Sequence, residues 1–278
     1  MIKKIKLYGA IIGMGIGEKH LQAIHKYRGN QILIICEKDK KKIILLKKKY
    51  PKIQITNNEN DIFNNTKINL VSLASYDEDH FKQIVKCIKS KKNIIVEKPM
   101  CLTMWQLKRI NDLLKKNKKI KIISNLVLRV NSRFLYLKKN IDKNKVFYIE
   151  ADYDWGRVKK LFEWRSKQKN YSITLGAGIH MIDLVMWILN ERPISVIGYA
   201  NKNATLNTCF KKYSFAIYIF KFSKNVFAKV TANAGGAHKH FHHVKVYEKN
   251  KTYVNSYKGA YEFSSNGKIK DIRANYPD

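Results

Sequence analysis

Apolar runs alternate with amphipathic stretches along roughly the first half of the chain. The runs Ile5 to Ile12, Gln31 to Cys36, Leu70 to Ala74, Asn93 to Val96 and Ile120 to Asn125 are short and mostly apolar, which predicts strands buried on both faces of a parallel sheet. Helices are predicted between them. In 80–89, Phe81, Ile84, Val85 and Ile88 recur at helical spacing, and in 103–117 Leu107, Ile110, Leu113 and Leu114 form a stripe behind a capping Thr103. Beyond about residue 125 the pattern changes to polar–apolar alternation, over 146–152, 210–222, 226–232, 244–248 and 252–257. Alternation of that kind predicts an antiparallel sheet with one solvated face. A single helix interrupts it, Ile179 to Leu189, apolar at Ile179, Ile182, Val185, Met186 and Leu189. The expected fold is therefore an α/β Rossmann domain over 1–124 followed by an α+β domain over 125–278 with a mainly antiparallel open sheet. A chain of 278 residues is long enough for both to have cores.

Three of the predicted strands end in residues that carry chemistry. The first runs into Gly13-Met14-Gly15-Ile16-Gly17-Glu18-Lys19-His20 and then a helical pattern at Leu21, Ile24 and His25. Strand, glycine turn and helix together read as a dinucleotide site: Gly13 permits the turn, Gly15 lets backbone approach a pyrophosphate, and the helix start offers N–H donors and a favourable dipole. The spacing Gly13, Gly15, Gly17 is one residue shorter than the usual G-x-G-x-x-G. The second strand ends in Glu37, about 20 residues on, where an acidic residue accepts hydrogen bonds from the adenosine ribose. Glu37 favours NAD; Lys38 beside it leaves room for the 2′-phosphate of NADP. Glu37 also reads simply as a solvated loop acid.

The run Asn93 to Val96 stops at Glu97-Lys98-Pro99, so that Lys98 is delivered at the carboxyl edge of the sheet, where open α/β sheets place their ligands. Lys98 is a candidate catalytic acid. Gly176-Ala177-Gly178-Ile179-His180-Met181-Ile182-Asp183 sets His180 and Asp183 three apart on one helix, with glycines that allow close approach. A histidine on an apolar helix is equally a satisfied core residue. Arg129, Arg157 and Arg165 offer fork-shaped donors for sugar hydroxyls or phosphate, or else form ion pairs. His238, His240 and His242 would share one face of an extended strand, yet no carboxylate or cysteine lies beside them in sequence, and no metal site is expected.

Charge and cysteines narrow the class. The formal net charge is +34, with 47 lysines against 8 arginines spread through every surface segment. Readers of nucleic acid concentrate arginine on one face, so compositional drift is the better account and no specific nucleic-acid partner is expected. The four cysteines Cys36, Cys87, Cys101 and Cys209 have no C-x-x-C spacing, which fits a reducing cytoplasm. No apolar run reaches the ~20 residues of a membrane span, and Met1-Ile2-Lys3-Lys4 leads straight into a strand, so a soluble, unexported protein is expected.

In order along the chain, Gly13 to His20, Glu37, Ser75 to His80, Glu97-Lys98-Pro99, Asn125 with Arg129, and Gly178 to Asp183 resemble the motifs of the glucose-fructose oxidoreductase, inositol dehydrogenase and MocA family (Gfo/Idh/MocA), over most of residues 1–255. The stretch Ala151 to Arg157 with Trp164-Arg165 further resembles members of sugar and surface-polysaccharide metabolism. The resemblance implies NAD(P)-dependent oxidation or reduction at a secondary hydroxyl of a sugar, cyclitol or nucleotide sugar. It implies catalytic roles for Lys98 and His180, cofactor contacts from Ser75, His80 and Glu97, and substrate contacts from Asn125 and Asp183. The alternative is a noncatalytic NAD(P)-binding sensor or an inactive truncated homologue.

This sequence departs from the family pattern at three further places. Tyr76 stands where many members have proline, Gly176 stands where many have an aspartate four residues before the histidine, and the chain stops at Tyr276-Pro277-Asp278 where relatives continue through helices. Truncation is the expectation from that ending. Relatives assemble through the second sheet, and an apolar face through Phe215, Ile217, Ile219 and Phe227 predicts a homodimer or homotetramer.

Overall fold

The computed structural model describes residues 6–276 and divides into two compact units, one ending at Asn125 and one starting at Leu126. In the first, strands β1 (Tyr8–Ile12), β2 (Gln31–Cys36), β3 (Gln54–Thr56), β4 (Leu70–Leu73), β5 (Asn93–Val96) and β6 (Ile122–Ser124) alternate with helices α1 (Gly17–His25), α2 (Lys40–Lys49), α3 (Asn60–Phe63), α4 (Asp77–Lys89) and α5 (Met104–Lys116). All pairings are parallel, in the order β3-β2-β1-β4-β5-β6. This is the doubly wound Rossmann order, with the reversal between β1 and β4. The apolar strands bury both faces: Ala10, Ile34, Val71, Leu73, Ile94 and Val96 pack on one side, and Ile11, Ile32, Ile35 and Leu70 on the other.

Several boundaries differ from those read along the sequence. The first strand begins at Tyr8 rather than Ile5, and Ile5 lies outside the described residues. α4 begins three residues before His80, at Asp77, because Asp77, Glu78 and Asp79 sit in its first turn where the helix dipole favours acids. The other caps follow local chemistry. Asp39 accepts from Lys41 and Lys42 N–H at the start of α2, and Thr103 accepts from Gln106 N–H at the start of α5.

The second unit contains α6 (Ser132–Asn140), β7 (Val146–Asp154), α7 (Trp164–Lys167), α8 (Ile179–Leu189), β8 (Ser195–Asn201), β9 (Phe215–Lys221), β10 (Phe227–Asn233), β11 (Phe241–Glu248), β12 (Lys251–Ser256), β13 (Gly259–Ser264) and β14 (Ile269–Asp271). Its sheet order is β14-β13-β12-β11-β7-β10-β9-β8. Every pair is antiparallel except β7 with β10, which is parallel. Met181, Leu184, Val185 and Ile188 of α8 join Ile149, Ala151, Val230 and Ala232 of the sheet in one core, and Asn190 in a left-handed conformation ends the helix.

The opposite face of this sheet is largely uncovered in the chain. Ile197 and Tyr199 of β8 lie opposite Ile219 and Ile217 of β9 and are 65% and 75% exposed, and Ile219 and Phe227 are exposed as well. Phe215 and Ile217 are half-buried. Lys229–Asp152 and Lys245–Glu150 ion pairs cross the same face beside the apolar residues.

Candidate functional site

At the end of β1 the chain turns through three glycines with three different mechanical roles. Gly13 has φ +88°, and a Cβ there would lie 2.5 Å from the Ala74 carbonyl oxygen, so the turn packs backbone to backbone. Gly15 faces open space, with no atom within 4 Å of a built Cβ. Gly17 begins α1 pressed onto β1, its built Cβ 2.9 Å from Ile11 Cγ2. The shortened spacing thus still supplies a turn, an open approach and a tight helix contact. No side chain caps α1.

Glu37, at the end of β2, is almost buried and points into this turn. Its Oε2 accepts from Met14 N–H at 3.0 Å, and its Oε1 from the Lys38 and Asp39 N–H groups at 2.8 and 3.1 Å. A carboxylate has about four acceptor positions, so one remains for a ribose hydroxyl. Lys38 is turned away to Asp79, 3.0 Å from its carboxylate. These residues fit an NAD adenosine and pyrophosphate.

β4 and β5 end side by side. Tyr76 takes φ −75°, the value proline would impose, so the backbone path survives its absence. Ser75 Oγ donates to Gln83 Oε1 at 2.6 Å. Glu97 Oε1 is met by His20 Nε2 at 3.0 Å and by Asn125 Nδ2 at 2.6 Å, and His20 Nδ1 lies 2.6 Å from Ser72 Oγ. Burial raises the Glu97 pKa, but hydrogen bonds from His20 and Asn125 and the charges of His20 and Lys98 outweigh it and hold the carboxyl below its usual range. The Ser72–His20–Glu97 chain has the connectivity of a nucleophilic triad, yet Ser72 is fully buried on a central strand and no substrate can reach it. Asn125 and Glu97, expected at the substrate and the cofactor, bond each other. His80, expected to contact the cofactor, is fully buried with its ring nitrogens on the carbonyls of Pro99 and Ser75, which removes it from the ligand surface.

In the second unit His180 sits in the first turn of α8, directly after the π-helical turn Thr174–Gly178, and is buried. Its ring stacks on Tyr153 at 5.9 Å between centroids. The Tyr153 hydroxyl meets His240 Nε2 at 3.2 Å, and His242 packs edge-on against Tyr153 while its Nδ1 shares a hydrogen bond with the Tyr276 hydroxyl. Burial pushes the Tyr153 phenol up to about 12. His238 departs from the expected histidine row: both it and His243 reach Asp154, each 3.4 Å from one carboxylate oxygen. Among the described residues no group of three His, Cys, Asp or Glu side chains is arranged to hold a metal ion.

Arg129 and Asp183 form a two-pronged ion pair, at 2.8 and 2.5 Å, which ties the segment before α6 to α8. That engagement is the ion-pair reading of Arg129, and the Arg129 side chain stays partly exposed beside it. Arg165 stacks its guanidinium over Trp155 and Trp164, and Arg157 remains exposed. At Gly176 a built Cβ would fall 2.2 Å from the Tyr171 hydroxyl, so the tyrosine fills the space that a side chain four residues before His180 would need.

Burial, followed by the charges of His240, His180, His243 and Arg157, lowers the His242 pKa from 6.5 to about 2. The unfolded chain therefore binds a proton at this position below pH 6.5 that the native state refuses. His242 contributes stability in full above pH 6.5 and loses it as pH falls from 6.5 toward 2. We expect the wild type to lose up to about 2 kcal/mol more than His242→Asn between pH 6.5 and 5. Urea unfolding at the two pH values measures this, and parallel losses in the two proteins would refute it.

The sequence motifs gave no role to His20, Ser72, Tyr153, Tyr171 or Tyr276. His20 carried a signal in its place in the glycine motif and Tyr153 in its place in the stretch Ala151 to Arg157; the others acquire partners through strand pairing or a turn of chain far away in sequence.

Comparison with known proteins matches both units. The family model described as an oxidoreductase family NAD-binding Rossmann fold covers residues 8–125, and the family's C-terminal alpha/beta domain covers residues 138–272. The inositol 2-dehydrogenase of Salmonella typhimurium is 24% identical over 234 residues, 82% of this chain and 68% of that protein. Among solved structures, scyllo-inositol dehydrogenase from Lactobacillus casei with bound cofactor NAD(H) and scyllo-inositol superposes with a TM-score of 0.80 at 15% identity, over 96% of this chain and 82% of that one. UDP-N-acetylglucosamine 3-dehydrogenase GnnA from Acidithiobacillus ferrooxidans does so with a TM-score of 0.82 at 14% identity, over 99% and 85%. At these identities the structural likeness concerns the fold.

Proposed function

The chain belongs to the Gfo/Idh/MocA oxidoreductase family, and from that premise we propose a dehydrogenase that uses NAD and acts on a secondary hydroxyl of a cyclitol, sugar or nucleotide sugar. The observation that carries the reading is the carboxyl edge of the first sheet. There the Gly13–Gly17 turn, Glu37 and the Glu97-Lys98-Pro99 turn occupy the ends of β1, β2 and β5. Nicotinamide, when bound, supplies the hydride acceptor or donor. Loss of hydride from a carbinol carbon requires loss of the hydroxyl proton, and a positioned group that takes that proton lowers the barrier. Lys98 orients and polarises the hydroxyl, and His180 exchanges its proton. Arg157 and Arg165 offer hydrogen-bond donors to the substrate.

Mass spectrometry of any nucleotide carried through purification, followed by a screen of cyclitols, sugars and nucleotide sugars at the reduced-nicotinamide absorbance, tests the proposal. A protein that neither retains nor binds a dinucleotide would sink it.

Glu37 sets the expected cofactor preference. Its carboxylate, held by three backbone N–H groups, would stand against the dianionic 2′-phosphate of NADP, while Lys38 is engaged by Asp79. NAD should bind on the order of tenfold tighter or more, equivalent to about 1.4 kcal/mol, and Glu37→Ala should narrow the gap. Equal affinities in the wild type would overturn the assignment.

The exposed apolar residues Ile197, Tyr199, Ile219 and Phe227 support a homodimer or homotetramer formed through the second sheet. Light scattering at micromolar concentration should give at least a dimer, and a monomer would remove the interface. The four cysteines are free thiols, which supports a reducing compartment such as the cytoplasm. No helix among the described residues is long and apolar enough to cross a membrane.

A further inference from the structure

β4 and β5 are parallel neighbours, with Leu73 opposite Val96, so the segments that leave them emerge together. One continues through Ser75 and Tyr76 into α4, and the other is Glu97-Lys98-Pro99. His80, in the first turn of α4, lies between them and is fully buried. Its Nδ1 is 2.8 Å from the Pro99 carbonyl oxygen and its Nε2 is 3.2 Å from the Ser75 carbonyl oxygen.

Proline has no N–H, so its carbonyl is the one polar backbone handle by which Pro99 can be held. On the other side of Lys98, Glu97 is held by His20 and Asn125. Lys98 thus stands between two residues that are each fastened to the body of the first unit. A long flexible side chain gains most from such an arrangement, since displacement of a reacting group by about 1 Å costs roughly 10²-fold in rate.

We propose that His80 is the positioning residue for Lys98, fixing the turn after β5 through the Pro99 carbonyl while its other nitrogen faces the loop after β4. The kinetic part of this inference rests on the dehydrogenase reading above; the brace itself does not.

Asparagine and glutamine separate the two contacts, because an Asn amide nitrogen superposes on histidine Nδ1 and a Gln amide nitrogen on Nε2. His80→Asn retains the bond to Pro99, His80→Gln the contact with Ser75, and His80→Leu neither. Each variant is to be assayed for kcat, NAD affinity, thermal stability and hydrogen–deuterium exchange of the peptide spanning 97–103. His80→Asn should keep kcat within about threefold, whereas Gln and Leu should lose about tenfold or more, with NAD affinity within about threefold throughout. Exchange across 97–103 should rise in Gln and Leu alone.

Equal behaviour of Asn and Gln in kcat and in exchange would overturn the proposal, as would losses that follow melting temperature instead of the bond retained. If His80→Leu does not fold, the Asn and Gln pair still decides. A wild type without turnover, combined with the expected exchange pattern, would reject the dehydrogenase and leave the brace standing. Turnover with unchanged exchange would do the reverse.

Discussion

Lys98→Ala is expected to lower turnover by roughly 10²-fold or more while leaving NAD affinity largely intact. The separation follows from where the residue lies. Lys98 comes after the last residue of β5, beyond the glycine turn and Glu37, which hold the cofactor in the proposed site. Glu97 beside it is engaged by His20 and Asn125, so truncating Lys98 leaves that network in place. His180→Ala should behave similarly. The proposed reaction assigns both residues to one proton transfer, so the double variant should lose much less than the product of the two single effects. Steady-state kinetics with the substrate found by screening, together with NAD titration, gives the comparison. Unchanged turnover in Lys98→Ala would remove the lysine from the mechanism, and multiplicative losses would separate the two residues into different steps.

Gly13→Ala and Gly15→Ala should fail in opposite ways although they are two residues apart. At Gly13 a Cβ would meet Ala74 O, Ala74 C and Ser75 N at 2.5, 2.8 and 2.9 Å, and φ is +88°. These are backbone atoms of the loop after β4 and cannot swing aside. Strain and displacement together should destabilise the protein by about 2–4 kcal/mol and abolish dinucleotide binding with it. At Gly15 a Cβ meets nothing within 4 Å. The fold should keep its stability within about 0.5 kcal/mol, while NAD binding weakens about tenfold or more, because the methyl group occupies the path by which the pyrophosphate nears the backbone. Thermal denaturation beside NAD titration separates the two effects. Normal NAD affinity in Gly15→Ala would dismiss the cradle.

The sequence by itself determined the elements whose side chains record their own burial. β2, β5 and α8 fall at the residues their apolar patterns mark, and the parallel first sheet and the antiparallel second follow from two-sided apolar runs against alternation. The glycine turn, Glu37 and Lys98 were equally legible, since each is placed by the strand end it follows. Tertiary structure decided what has no periodic trace. All seven residues of β8 are exposed, so no alternation marks it, and β3 is three residues long. The parallel pairing of β7 with β10 joins strands about 80 residues apart, a choice made by the packing of the whole sheet. The same holds for side chains whose type admits several partners. Arg129 is matched by chemistry to a carboxylate or to a substrate alike, and it is the approach of α8 that commits it to Asp183. His80 reads as a cofactor contact, and His20 only as the last residue of the glycine motif, until strand order sets Pro99 and Ser75 beside one and Ser72 and Glu97 beside the other. Periodicity reports whether a position meets water; which group it meets instead depends on chain segments that the local pattern does not contain.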